Sequence, residues 1–333
     1  MKLVKMFRAS ALVVGLGFSL AIPGLSVAAT SQVPVSVEAQ NTELSQAAKE
    51  WQATGNYLTI EGHNIFYHDV GEGPVIVLLH GHPSSSLDWR ETVDILKDKA
   101  RVITFDHVGW GLSDKPVAFS YSLMEMADIT EEILNELDVK SAHVVSHDIS
   151  TSVHSELMAR HLEGSLSFDL ESSMLTNGSI IQWISDEPPE QKLAESNETL
   201  FEAIKAFRKA SPVIPDILTS MTIGNLSEER IDLMSELLLR DQGVERLAAQ
   251  SLYMRERYVY ADRWLNAITD TQPLRIVWAQ DDPVANVKIG RELNKIAPDA
   301  DYVEIKGTGH FPNAEAPEQI AEHILISTGL SEE

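Results

Sequence analysis

The sequence predicts an α/β fold: a mostly parallel, doubly wound sheet with a helical cap inserted into it. Three observations carry that expectation. Short apolar runs alternate with amphipathic stretches along most of the chain, the pattern of strands covered on both faces and joined by helices. The alternation stops over residues 179–262, which read as several helices without a convincing strand, and then resumes. Between the two halves, Ala142-His143-Val144-Val145-Ser146-His147-Asp148-Ile149-Ser150 passes abruptly from a buried strand to a helix face. On that face Ile149, Val153 and Leu157 recur every fourth residue.

Composition sets the bounds. The 333 residues, 44% of them hydrophobic, suffice for one large α/β domain or two small ones. Cysteine is absent, which excludes disulfides, thiolate chemistry and Cys-containing zinc sites. The formal charge of -24 opposes nucleic acid and anionic membrane surfaces as partners.

In chain order, residues 1–29 have the form of a secretory signal peptide. Basic Lys2, Lys5 and Arg8 precede the apolar run Ala11–Ile22, and small residues surround Ala28 and Ala29. The run is shorter than the ~20 residues of a spanning helix, so a periplasmic or secreted protein is expected rather than a stable membrane anchor. Residues 30–50 are polar and weakly periodic, and read as a linker or arm. Residues 51–178 should build the first half of the core. Tyr57–Ile60 and Asn64–His68 alternate as a hairpin around Glu61-Gly62. Pro74–Leu79 and Arg101–Phe105 are strands, with a helical pattern at Trp89, Val93 and Leu96 between them. A helix over 122–138 leads to the strand that ends at Asp148, and Ser165–Leu175 is the next strand candidate. After the cap at 179–262, residues 263–333 supply the second half: strand Leu274–Ala279, a helix near 286–296, strand Tyr302–Ile305 and a last helix over 315–328.

A strand that bends this sharply into a helix needs small side chains on both sides, and Ser146 and Ser150 supply them. Asp148, at the apex, is pushed out of the sheet with neighbouring N–H groups pointing the same way. Those are the mechanics of a nucleophile elbow, usually Gly-x-Ser-x-Gly. A carboxylate there is a candidate nucleophile, although the same tripeptide also fits a helix N-cap. Two other strand ends carry complementary residues. Asp282 lies in Gln280-Asp281-Asp282-Pro283, with Asp281 the competing acid, and His310 lies in the turn before the last helix. Open α/β sheets build their sites at the C-terminal strand ends, so Asp148, Asp282 and His310 should converge beneath the cap.

The order nucleophile, acid, histidine is that of α/β-hydrolases, and further motifs agree. His80-Gly81-His82-Pro83 resembles the His-Gly-x-Pro oxyanion loop, Asp106–Pro116 the Asp-x-x-Gly-x-Gly-x-Ser-Asp-Lys-Pro turn, and Gly309-His310-Phe311-Pro312 the catalytic-histidine turn. Over about residues 55–330 the chain resembles the α/β-hydrolase superfamily. The apical Asp is similar to the haloalkane dehalogenase and epoxide hydrolase branch. The Ser-His-Asp elbow and Leu175-Thr176-Asn177-Gly178 resemble mesoderm-specific-transcript-like hydrolases.

The resemblance implies an α/β-hydrolase fold and an ester formed on Asp148, which water activated by His310 and Asp282 then cleaves. Backbone N–H groups of His82 and Ile149 would receive the oxyanion. Neither cofactor nor metal is implied. The sequence departs from its relatives at informative places. Haloalkane dehalogenases commonly have Asn and Trp, two halide donors, where this chain has His82 and Ile149. Epoxide hydrolases usually carry two cap acids, mostly tyrosines, but residues 179–252 contain neither Tyr nor His. Tyr253, helped by His82, is then the candidate ring-opening acid, although it also fits a core position. Leu200, Phe201, Ile204 and Phe207 would face inward, so the expected substrate is a small, uncharged, apolar epoxide, with water as the second reactant. Haloalkane dehalogenase and β-lactone cleavage are the alternative reactions. A non-catalytic protein that keeps the binding pocket is the alternative outside enzymology.

Overall fold

The computed structural model describes residues 43–185, 189–194, 196 and 198–331. The expected signal peptide over 1–29 and the arm as far as residue 42 lie outside them. The described residues form β1 (Asn56–Ile60), β2 (His63–Val70), β3 (Val75–Leu79), β4 (Arg101–Phe105), β5 (Ser141–His147), β6 (Asp169–Thr176), β7 (Leu274–Ala279) and β8 (Asp301–Ile305). They make one sheet in the order β1-β2-β4-β3-β5-β6-β7-β8. The β1–β2 and β2–β4 pairs are antiparallel and all others parallel. Glu61 and Gly62, both at positive φ (48° and 82°), turn the first hairpin, as a two-residue turn matched to strand twist requires.

Side chains alternate across the parallel strands. Ile76, Leu78, Val102, Val145 and Val277 join one buried layer with Ile320 and Ile324 of the Pro317–Thr328 helix. Val77, Leu79, Ile103, Val144 and Ile276 join the other with the Leu123–Glu136 and Ser150–Glu163 helices. Two boundaries differ from expectation for local reasons. β6 begins at Asp169, not Ser165, because the preceding helix ends at Gly164 (φ 70°) and the Ser165 and Leu166 N–H groups bond back to the Arg160 carbonyl. They therefore cannot join the ladder. The end of the expected arm is a docked helix, Gln46–Gln52, capped by Ser45 and burying Ala48 and Trp51.

The described part of 179–262 is helical, chiefly Leu200–Ala210, Ile214–Met221, Glu228–Leu239, Gly243–Gln250 and Tyr253–Val259, with no strand among the described residues. In Leu200–Ala210 the buried positions are Ala203 and Phe207, one helical turn apart. Phe201 lies on the opposite side, 63% exposed, under the Lys205 ammonium at 4.6 Å. The expectation that Phe201 faces inward is corrected by that phase. The next helix, Ala261–Asp270, returns to the core through Arg263 and Trp264, which meet Glu156 of the Ser150–Glu163 helix.

Candidate active site

The bend after β5 places Asp148 at φ 50°, a left-handed conformation that a residue with a Cβ adopts only when its surroundings impose it. The surroundings here are hydrogen bonds and close packing. The Asp148 N–H donates to Thr176 O at 3.2 Å, and its carbonyl accepts from the Thr151 N–H (3.0 Å) and hydroxyl (2.7 Å). Two glycines outside the elbow let neighbouring strands approach. A Cβ on Gly81 would lie 2.7 Å from Asp148 Cβ, and one on Gly178 2.1 Å from Thr151 Oγ1 and 2.7 Å from Asp148 O. Within the elbow the small residues are bonded. Ser150 donates to the His80 carbonyl and meets His107 Nε2, while Ser146 meets His154 Nδ1 at 2.9 Å. Gly178→Ala should therefore destabilise the protein by about 1–3 kcal/mol through overpacking, read as a lower urea midpoint. An unchanged midpoint would mean that the elbow can relax.

Asp148, Asp282 and His310 come together. Asp148 Oδ1 accepts the His82 N–H at 2.7 Å, and Oδ2 lies 3.8 Å from His310 Nε2. His310 Nδ1 is 3.0 Å from Asp282 Oδ2. Asp282 is held in turn by the Asn177 amide (2.6 Å) and the Val284 and Ala285 N–H groups (2.7 and 2.9 Å). Asp281 points away and accepts the Gly307 N–H at the surface. Of the two expected oxyanion donors, the His82 N–H engages the carboxylate. The Ile149 N–H makes no bond to it among the described residues, and the Ile149 side chain is buried at the head of the Ser150–Glu163 helix.

Charge is unevenly distributed among the buried histidines. Burial pushes His82 and His147 down to about 4. Burial also acts against the His310 cation, but the Asp282 carboxylate, its hydrogen bond and Asp148 outweigh it and raise His310 to about 9. For Asp282, burial is likewise outweighed by His310 and by its donors, and the carboxyl is held below its ordinary value. At neutral pH His310 is thus the cation, while His82 and His147 are neutral. His82 Nδ1 accepts the Trp110 indole N–H at 3.3 Å, which leaves its proton on Nε2. His147 Nε2 donates to the His310 carbonyl at 2.7 Å and fixes that loop. Asp282→Asn should lower the His310 value, measured by imidazole NMR titration, more than Asp148→Asn does. The stabilisation from this cation is complete below pH 6.5 and lost as pH climbs through about 9, so the wild-type urea midpoint should fall across that window.

A narrow cavity lies between core and cap, bordered by His82, Asp148 and His310 below and by Met221, Tyr253 and Arg257 above. It has room for about one water with the cap in this position. Tyr253 is 4% exposed, with its ring 6.1 Å from the His82 ring and 4.6 Å from the Arg257 guanidinium. Leu200, Phe201, Ile204 and Phe207 do not border the cavity. Sequence reasoning gave no role to two residues that matter here. Asn177, at φ 46°, holds Asp282 and accepts the Ala279 N–H. Arg257 was detectable as the residue one helical turn beyond Tyr253, and therefore on its face.

An eight-stranded, mostly parallel sheet carrying an elbow residue, an acid and a histidine after β5, β7 and β8 beneath helices is the architecture of an α/β-fold hydrolase. The chain belongs to the alpha/beta hydrolase family, which matches residues 76–323. It is 36% identical over 292 residues to LipZ of Mycobacterium tuberculosis, a hydrolase by name, covering 84% of this chain and 98% of that one. It is 26% identical to haloalkane dehalogenase 2 of Mycobacterium bovis, over 80% of this chain and 91% of the relative. Among solved structures, an alpha/beta hydrolase fold protein from Burkholderia ambifaria superposes with a TM-score of 0.68 at 26% identity, covering 81% of this chain and 97% of the other.

Proposed function

We propose that the protein hydrolyses a small epoxide through a covalent ester on Asp148. The observation that supports this best is one buried carboxylate set between two partners, the His82 N–H at 2.7 Å and His310 Nε2 at 3.8 Å. The oxygen not bonded to His82 attacks an sp3 ring carbon. The ring carbon–oxygen bond breaks, and the ring oxygen takes the phenolic proton of Tyr253. His310 returns a proton to Tyr253 by way of solvent and becomes neutral. Esterification removes the Asp148 charge that helped keep His310 protonated, so the imidazole is freed to act as base. It takes a proton from water, and the hydroxyl attacks the Asp148 acyl carbon while the developing oxyanion faces the His82 N–H. On collapse the departing oxygen takes the proton from His310, and the new carboxylic acid at Asp148 gives its own proton to His310. The sum is epoxide plus water to diol.

The choice of an epoxide rests on donors. A halide leaving into a closed cavity needs N–H partners, and Ile149 offers no side-chain donor where haloalkane dehalogenases commonly have Trp. An oxirane needs one acid, and ring strain assists its opening. A single turnover in heavy-oxygen water tests the covalent step: the label should enter the Asp148 carboxylate first and be absent from the first diol formed. Label in that diol, with Asp148 unlabelled, would mean direct attack by water. Halide release faster than diol formation on matched substrates would make the protein a dehalogenase instead. We further propose that the mature protein is periplasmic or secreted, lacking the first 28 or 29 residues. An intact-mass measurement on native protein checks this, and a full-length mass with membrane association would refute it.

A further inference from the structure

We propose that Arg257 is the anchor for an anionic group on the substrate, so that the molecule opened at Asp148 is a small epoxide bearing a carboxylate. The proposal rests on the epoxide reading for the reaction but not for the binding, and it replaces the uncharged substrate expected from the cap sequence. Arg257 is 1% exposed and borders the same cavity as Asp148 and His310. Buried Arg230 and Arg275 each meet a carboxylate, and buried Arg246 gives its Nε to the Lys115 carbonyl away from the cavity. Arg257 meets no carboxylate among the described residues. Its Nε donates to Ser152 Oγ at 2.9 Å, and its buried Nη2 has no hydrogen-bond partner. A guanidinium removed from water with part of its donor fork unused is disfavoured unless a ligand supplies the missing acceptors. The planar fork pairs bidentately with a carboxylate, a flat anion that suits so narrow a cavity.

The anchor is rigid and registered to the chemistry. The Tyr253 ring lies over the guanidinium at 4.6 Å, and Ser152 sits in the first turn of the helix that leaves the Asp148 elbow. The distance from anchored anion to attacked carbon is therefore set by the elbow itself. Charge points the same way. With His310 protonated, the carboxylates of Asp148 and Asp282 balance His310 and Arg257. Alkylation of Asp148 moves its negative charge to the ring oxygen, which Tyr253 and His310 neutralise. The site stays neutral overall, but the carboxylate that faced an anion on Arg257 across the cavity is gone, and that repulsion ends as the ester forms. Binding that strengthens along the reaction accelerates it.

Two independent measurements test this. The first compares turnover of glycidate with that of its neutral counterpart, glycidamide. Glycidate should have a kcat/KM about 100-fold higher, and Arg257→Met should erase the preference while Arg257→Lys retains part of it. The second is calorimetric binding of glycerate against glycerol to unmodified wild-type protein, which needs neither turnover nor a folded variant. Glycerate should bind at least about tenfold more tightly. Binding of glycerate without turnover of either epoxide would support the anchor and remove the epoxide reading. Turnover of both epoxides at equal kcat/KM, with no preference for glycerate, would overturn the anchor and leave the epoxide reading standing. An Arg257→Met enzyme slowed equally on glycidate and glycidamide, with their ratio preserved, would also overturn it, because Arg257 would then act on the departing oxygen or on the fold.

Discussion

Asp148→Asn should lose turnover by about 10,000-fold or more while the protein remains folded. The amide keeps an oxygen that can accept the His82 N–H, which reaches Asp148 Oδ1 at 2.7 Å, and its size matches the packing between Gly81 and the Thr151 hydroxyl. What it lacks is a nucleophilic charge. His310→Gln should be equally inactive in steady turnover but for the opposite reason: Asp148 still attacks, and nothing activates water against the ester. Intact-mass analysis after exposure to substrate should show this variant heavier by one substrate molecule, and Asp148→Asn unmodified. An adduct on both, or on neither while wild type turns over, would remove Asp148 from the nucleophile's role. Asp282→Asn is a useful third case. It leaves His310 in place but deprives it of the carboxylate 3.0 Å from Nδ1, so the ester should form at near-normal rate and hydrolyse slowly.

The parts of this molecule legible in the sequence are those where one residue type has one use. β4 and β7 occupy the residues that their largely apolar runs predict, because strands buried on both faces are mostly apolar. The elbow, His310 and an acid in the Asp281-Asp282 pair were legible because strand ends in an open sheet are where polar residues can converge. What sequence could not supply depends on angle and on distant partners. Asp281 and Asp282 are adjacent and chemically identical, and only the Asn177 amide across the sheet and the turn at Val284 distinguish them. Phe201 was misplaced by reading a helix face from apolar residues alone. The burial of Ala203, a residue with little hydrophobic signal, sets the phase. Arg257 was missed because in one dimension a buried cation looks like a solvated one. Its neighbours Arg255, Glu256 and Tyr258 give the local sequence a surface-like composition, while its side chain meets Ser152 of the core helix and the Tyr253 ring. β6 began late because the Gly164 cap consumes the following N–H groups.

The largest loss of stability is expected from Glu156. This carboxylate, 1% exposed, accepts from Arg263 Nε (2.7 Å) and Nη2 (3.0 Å), Arg160 Nε (3.0 Å) and the indole N–H of fully buried Trp264 (3.0 Å). It thereby ties the helix that starts at the elbow to Ala261–Asp270, the helix that follows the cap. Burial alone would favour the neutral acid, but the bonds from Arg263, Trp264 and Arg160 outweigh it and hold Glu156 below its ordinary range. Breaking a buried ion pair on one side costs about 3–5 kcal/mol. Glu156→Ala should fall near the lower end, about 3 kcal/mol, because Arg160 and Arg263 keep Glu131 and Glu163 as second partners. The sign of the pH dependence follows from the depressed value. The carboxylate's contribution is complete above pH 4.5, the unfolded value, and is lost as pH falls through the lower value in the fold. Urea unfolding of wild type and Glu156→Ala should therefore differ most at neutral pH and converge on acidification. Glu156→Gln keeps the shape and one acceptor, and should lie between them at pH 7. A constant difference between wild type and Glu156→Ala at every pH would show that lost packing, rather than charge, joins these two helices.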